Sequence, residues 1–195
     1  EALEVTLGDP ARPVLAVVGG AKVSTKLNVL SNLLNKVDRL AIGGAMANTF
    51  LYALGTDIGA SLCEKNMADT ARDVMESASQ AGCNVILPSD VVIAKKLVAG
   101  AVKETVPITD VRPDTMILDI GTETARALAT SLESCKTVLW NGPLGAFETR
   151  PFDEGTKFVA LAAARLTTEA KLCSIAGGGD TIAALAAADV VNDFS

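Results

Sequence analysis

Apolar residues fall along the chain in short unbroken runs separated by stretches of helical spacing. Pro13-Val14-Leu15-Ala16-Val17-Val18 is the first run, rich in β-branched residues and without alternation, the pattern of a strand buried on both faces. It stops at Gly19-Gly20, after which Leu27, Leu30, Leu34 and Val37 recur at helical spacing, with Ser24 or Thr25 available as N-cap. The pattern repeats: Arg39 to Ile42 predicts a strand, Gly43-Gly44 a turn and Met46 to Leu54 a helix. A helix over 68–81 ends at Gly82, a suitable C′ residue, and Asn84-Val85-Ile86-Leu87-Pro88 predicts the next strand. Met116 to Ile120, Thr137 to Trp140 and Leu172 to Ala176 predict further strands, each followed by a helical stretch, to about 132, over 154–166 and over 180–188.

Six strands alternating with helices imply an α/β fold: a three-layer, doubly wound, Rossmann-like arrangement around a mainly six-stranded parallel sheet with right-handed crossovers. The middle of the chain is less regular. Val91 to Ala94 and Thr105 to Ile108 read as short strands or extended connections, and Pro107 makes the second an edge element if it is a strand. No Pro/Ser linker divides the chain, so residues 1–195 read as one domain. Glu1-Ala2-Leu3-Glu4 reads as the tail of a helix already under way and Asn192 to Ser195 stops without a terminal element, so both ends read as cut.

Composition narrows the chemistry. With 49% hydrophobic and 21% charged residues over 195 positions, the chain can bury a sizeable core and is too apolar for disorder. Its formal charge of −6 argues against nucleic acid and anionic membrane as partners, which need a surplus of Lys and Arg. The longest uncharged run, Leu40 to Thr56, contains Gly43-Gly44, Asn48 and Thr49 and reads as strand, turn and helix rather than a membrane span; no signal segment opens the chain. Histidine is absent, which excludes imidazole metal sites and Ser-His or Cys-His pairs. Cys63, Cys83, Cys135 and Cys173 form no C-x-x-C pair and read as reduced core residues of a cytoplasmic protein.

Ligands of such sheets bind at the carboxyl ends of the strands. Four junctions there are glycine-rich: Gly19-Gly20-Ala21-Lys22, Gly43-Gly44-Ala45, Asn141-Gly142-Pro143-Leu144-Gly145 and Gly177-Gly178-Gly179-Asp180-Thr181. Each glycine alone is explained by a tight turn; four on one rim point to close backbone approach to a ligand. The triple glycine before a helix predicts an anion cradle of free N–H groups. Asp180 beside it either caps the helix or holds Mg²⁺ bridging to a phosphate. Lys22 and Lys26 oppose the helix dipole and read either as solvated charges or as partners of a bound anion. None of these junctions is a Walker A loop or a G-x-G-x-x-G fingerprint, which disfavours a nicotinamide dehydrogenase.

Taken together, Gly19-Gly20-Ala21-Lys22-Val23-Ser24-Thr25-Lys26, Gly43 to Phe50, Leu87-Pro88-Ser89-Asp90, Asn141 to Glu148 and Gly177 to Thr181 resemble, in order, the C-terminal nucleotide-binding half of the phosphoglycerate kinase family. The resemblance implies phosphoryl transfer between 1,3-bisphosphoglycerate and ADP, giving 3-phosphoglycerate and ATP, with Mg²⁺, in a cytoplasmic monomer. By matching position it implies that Lys22 and Lys26 contact nucleotide phosphates and, with Gly179, serve catalysis. Gly20, Ala21, Gly44, Ile117, Pro143 and Gly145 would line the adenine pocket. Asn141 would approach the phosphate chain, Glu148 would bond the ribose hydroxyls, and Gly178, Gly179 and Thr181 would cradle phosphate with Asp180 on the metal. The chain departs from the family at Ala45 (usually glycine), Asn48 (tyrosine), Ile117 (glycine) and Thr122 (proline). The family's N-terminal domain with its arginine-rich phosphoglycerate site, and the Ser-Thr-Gly-Gly-Gly loop that follows Phe194-Ser195, are not in this sequence, which leaves a stand-alone nucleotide-binding module as the alternative reading.

Overall fold

The computed structural model describes residues 10–195; the helix tail expected at Glu1 to Glu4 lies outside them. Five strands form a parallel sheet in the order β3-β2-β1-β7-β8, with β1 (Val14–Val18), β2 (Arg39–Ile42), β3 (Asn84–Ile86), β7 (Thr137–Asn141) and β8 (Cys173–Ala176). Every residue of β1 is buried, as its unbroken apolar run requires of the central strand. Val14, Ala16 and Val18 enter one core and Leu15 and Val17 the other. Each Val or Leu buried this way contributes about 1.5–3 kcal/mol.

The first core is closed by α1 (Leu27–Leu34), α2 (Gly44–Ala53) and α3 (Ala68–Gln80), the second by α4 (Thr122–Glu133), α5 (Glu154–Thr168) and α6 (Gly179–Ala187). The three-layer doubly wound reading therefore holds. The strand count is five rather than six, because β6 (Met116–Ile120) leaves the parallel sheet. It pairs antiparallel with β4 (Asp90–Ala94), which also pairs antiparallel with β5 (Glu104–Pro107), giving a separate sheet in the order β5-β4-β6. A five-residue apolar run suits either sheet. What decides is the neighbouring strand, and β4 pairs with both β5 and β6. Pro107 sits on an edge strand, as expected.

Two buried aspartates fasten the small sheet to the body. Asp90 accepts the N–H groups of Glu123 (3.0 Å) and Thr124 (2.7 Å) in the first turn of α4. Asp119 accepts that of Gly155 in the first turn of α5 at 2.8 Å. Both carboxylates therefore supply partners to helix N-termini that provide no side-chain cap of their own. The same holds at α1, where neither expected hydroxyl caps: Thr25 Oγ1 donates to the Lys22 carbonyl and Ser24 Oγ to Glu64, so the helix starts at Leu27 with Lys26 in the N-cap position. All four cysteines are free; Cys83 and Cys135 are buried as expected, whereas Cys63 is half-buried and Cys173 exposed. Among the described residues, no helix is long and apolar enough to cross a membrane.

Candidate functional site

Strand order reverses direction beside β1, so the loops leaving β1 and β7 bracket the place where such sheets bind ligands. Backbone hydrogen bonds stitch these loops into one rim. Gly19 N–H donates to the Asn141 carbonyl, Gly44 N–H to that of Leu144 and Met46 N–H to that of Gly20, each at 2.9 Å. Sequence reasoning gave the glycines here to a ligand, but most of them serve one another. A Cβ on Gly19 would overlap the Pro143 carbonyl, one on Gly44 the backbone of Gly20, and one on Gly142 that of Gly19. The triple glycine differs. Gly178 takes φ +96° and Gly179 has nothing within 4 Å of where its Cβ would stand, so the first turn of α6 opens outward.

Two cavities meet at this rim and share Gly20, Ala21 and Asp180. The larger, about 430 Å³, is mostly apolar, walled by Gly44, Leu62, Met116, Ile117, Pro143 and Gly145, with Glu148 at its exposed edge. The smaller, about 300 Å³, is lined by Lys22, Lys26, Gly178, Gly179 and Thr181. The structure thus gathers the expected site residues in two groups, the base-pocket set around the first cavity and the phosphate set around the second. Asn141 lines neither. Its side-chain oxygen accepts a hydrogen bond from Lys26 Nζ, which ties the loop after β1 to the end of β7.

Electrostatics follow burial. Desolvation pushes the Lys26 ammonium below its ordinary pKa, and the Asp180 carboxylate pulls it back up. Lys22 and Asp180 are exposed. Thr181 is buried, its hydroxyl accepting from Gly142 N–H at 2.6 Å and donating to the Gly177 carbonyl at 2.7 Å. These bonds shape the cradle; the first turn of α6 lines the smaller cavity, and its leading N–H groups have no intrahelical carbonyl to satisfy them. No cluster of three or more His, Cys, Asp or Glu gathers among the described residues. A divalent ion at Asp180 would accordingly draw its other ligands from a bound anion, which is how Mg²⁺ is commonly held.

Three residues of the site escaped the sequence. Asp119 lines the apolar cavity with its carboxyl pushed up to about 7 by burial, against the N–H bonds of Gly155 and Ile120 and in the field of Asp153. Its signal was a charge inside an apolar strand. Glu64 accepts from Ser24 through both its N–H (3.1 Å) and hydroxyl (2.6 Å), bracing the loop that carries Lys22 and Lys26. Burial acts to raise the Glu64 carboxyl, but the bonds from Ser24 and Val23 and the Lys22 charge together outweigh it and hold the group below its ordinary range. Asn48, met above only as a departure, stands in the wall of the apolar cavity.

Comparison with known proteins supplies the family. The family described as phosphoglycerate kinase matches residues 1–195. The phosphoglycerate kinase of Dinoroseobacter shibae is 57% identical over 195 residues, covering 100% of this chain and 50% of its own length. That of Rhizobium leguminosarum bv. trifolii is 55% identical, with 100% and 49% covered. The solved structure of phosphoglycerate kinase from Coxiella burnetii superposes with a TM-score of 0.93 at 42% identity, covering 100% of this chain and 49% of that one. The enzyme from Pyrococcus horikoshii OT3 superposes at 0.77 and 26% identity, over 95% of this chain and 46% of the other. The chain spans about half the length of the curated relatives it matches. A doubly wound body with an apolar cavity opening into a lysine-flanked helix terminus, matched by that family over all of 1–195, places the chain in the phosphoglycerate kinase family.

Proposed function

We propose that the chain is the nucleotide-binding half of a phosphoglycerate kinase, which passes a phosphoryl group between 1,3-bisphosphoglycerate and ADP. The observation that carries this reading is the pair of confluent cavities, one apolar and sized for a base, the other lined by two lysines and an open helix N-terminus. A nucleoside diphosphate has the same division between an apolar base and an anionic tail.

In this reading the base lies between Gly20-Ala21, Gly44, Ile117 and Pro143-Gly145, with the ribose hydroxyls turned outward to the exposed Glu148 carboxylate. The phosphates enter the second cavity, where the N–H groups of Gly179 and its neighbours donate to them and the helix dipole favours their charge. Lys26 exchanges Asn141 for a phosphate oxygen, and its desolvation makes that contact worth more than one in open water. Lys22, at the exposed side, adds a second donor to the transferred group. Mg²⁺, held by Asp180 together with the phosphates, would neutralise charge on the nucleotide. Phosphoryl transfer demands mainly positioning and charge stabilisation of its protein, which is what these groups supply. The phosphoglycerate would be held by the other half of the full-length enzyme, working as a cytoplasmic monomer with neither nucleic acid nor membrane as partner.

Calorimetric titration of the folded chain with MgADP tests the reading. Saturable binding is expected; a flat titration at millimolar nucleotide would overturn it.

A further inference from the structure

Residues 61–64 form neither helix nor strand, yet their polar contacts reach three parts of the site. Ser61 Oγ accepts from Ile117 N–H on β6 at 2.8 Å. On α2, Asn48 Nδ2 donates to the Leu62 carbonyl and Thr49 Oγ1 accepts from Glu64 N–H, each at 3.1 Å. Asn48 and Thr49 are both buried, so the segment is fastened inside the body, and its Leu62 walls the apolar cavity. At its end the Glu64 carboxylate reaches across 40 residues of sequence to Ser24, accepting the N–H at 3.1 Å and the hydroxyl at 2.6 Å. Ser24 stands in the middle of the turn that carries Lys22 and Lys26 into the smaller cavity. Within that turn, Thr25 Oγ1 donates to the Lys22 carbonyl and Lys26 N–H to that of Val23, bonds that shape the turn without tying it to another element. Neither Ser24 nor Glu64 lines either cavity.

We infer that Glu64 is a positioning residue for the smaller cavity: it touches no ligand, and by holding Ser24 it sets where Lys22 and Lys26 stand relative to the apolar wall at Leu62. Charge alone would argue against an acid here, since a carboxylate in the field of Lys22 repels the anion that the lysines attract. What Glu64 supplies is geometry, because a lysine on a mobile turn must be ordered again each time a phosphate binds. The inference rests on the nucleotide-site reading and deepens it by naming what keeps the two cavities in register.

Calorimetry on the 195-residue chain with MgADP, and with inorganic pyrophosphate as a probe of the smaller cavity alone, tests this by the sign of the effect. A carboxylate acting only through its charge would make Glu64→Ala bind both anions more tightly; a positioning role predicts the reverse, a loss of about three- to tenfold for each. Glu64→Gln carries no charge but can still accept from Ser24 N–H and donate to its hydroxyl, so it should bind at least as well as the unaltered chain. In a Lys26→Ala background the loss caused by Glu64→Ala should shrink. Unchanged or tighter binding in Glu64→Ala would overturn the inference, and so would an equal loss in Glu64→Gln or a loss of full size without Lys26. Should Glu64→Ala fail to fold, Ser24→Ala, a change at an exposed position, decides the matter: weaker binding is expected and unchanged affinity overturns the inference. Failure of the unaltered chain to bind MgADP at millimolar concentration would remove the nucleotide reading and the inference with it, whereas binding indifferent to Glu64 removes the inference alone.

Discussion

Lys26 shows how one side chain carries opposite costs in the free and bound chain. Half-buried at the start of α1, it is desolvated, and its positive charge opposes the helix dipole; Asn141 supplies a neutral partner and Asp180 a charge. A phosphate would turn the same placement into a charge-assisted contact. Lys26→Ala should therefore weaken MgADP binding by about 1–3 kcal/mol. The free chain should keep its melting temperature or gain slightly, since removing a cation from a helix N-terminus is worth roughly 0.3–1 kcal/mol. Titration and thermal unfolding of the same variant check both signs, and a clear fall in melting temperature would contradict the account. The lysine was legible in the sequence because it follows Gly19-Gly20 at a strand end and stands four residues from Lys22 at the start of a helix. Glu64 was not, because its partner Ser24 lies 40 residues away, and a lone Glu before an amphipathic helix reads as a solvated charge. Asp119 was hidden for the same reason: its partner Gly155 is 36 residues on, and nothing local marks the pairing.

Among the elements, helix α6 is the one whose start matters most, and Thr181 sets it. By accepting from Gly142 and donating to Gly177 the hydroxyl joins the ends of β7 and β8 to the first helical turn. Thr181→Val keeps the shape and strands the Gly142 N–H in a buried position, which should destabilise the chain by about 1–3 kcal/mol. Thr181→Ser retains the hydroxyl and should lose less. Urea midpoints of the two variants at unchanged slope measure the difference; equal midpoints would mean that the bonds contribute nothing. At this scale the strands and helices followed from apolar runs and helical spacing, and the sheet assignment of β6 did not. Its residues Met116 to Leu118 are only half-buried, and hydrophobicity alone does not distinguish a strand of the parallel sheet from an outer strand of a small antiparallel one. The glycine junctions likewise announced close approach without saying to what. Gly19, Gly44 and Gly142 approach one another, and only coordinates separate that from approach to a ligand.

For the whole molecule, the distribution of arginine says what this half lacks. Arg12, Arg72, Arg112, Arg126, Arg150 and Arg165 pair with surface acids, and Arg39 donates to Ser131 and Ser134. No arginine lines either cavity of the site. A phosphoglycerate, with its carboxyl and phosphoryl groups, needs a cluster of such donors, and bidentate guanidinium is the suited one. The two cavities also open outward at Glu148 and Lys22, leaving the lysine-lined end exposed to water. Phosphoryl transfer requires donor and acceptor aligned and water excluded, which in enzymes built of two halves comes from closure of one on the other. The chain spans about half the length of its curated relatives, and in the proposed reading it is the nucleotide side of such an arrangement. The 195-residue chain should accordingly bind MgADP and form no ATP from 1,3-bisphosphoglycerate above the uncatalysed rate. A chain extended to the full length of its relatives, assayed alongside, should turn over. Comparable ATP formation by the two would show that the second half is dispensable for the chemistry and would refute the division of labour argued from the arginines.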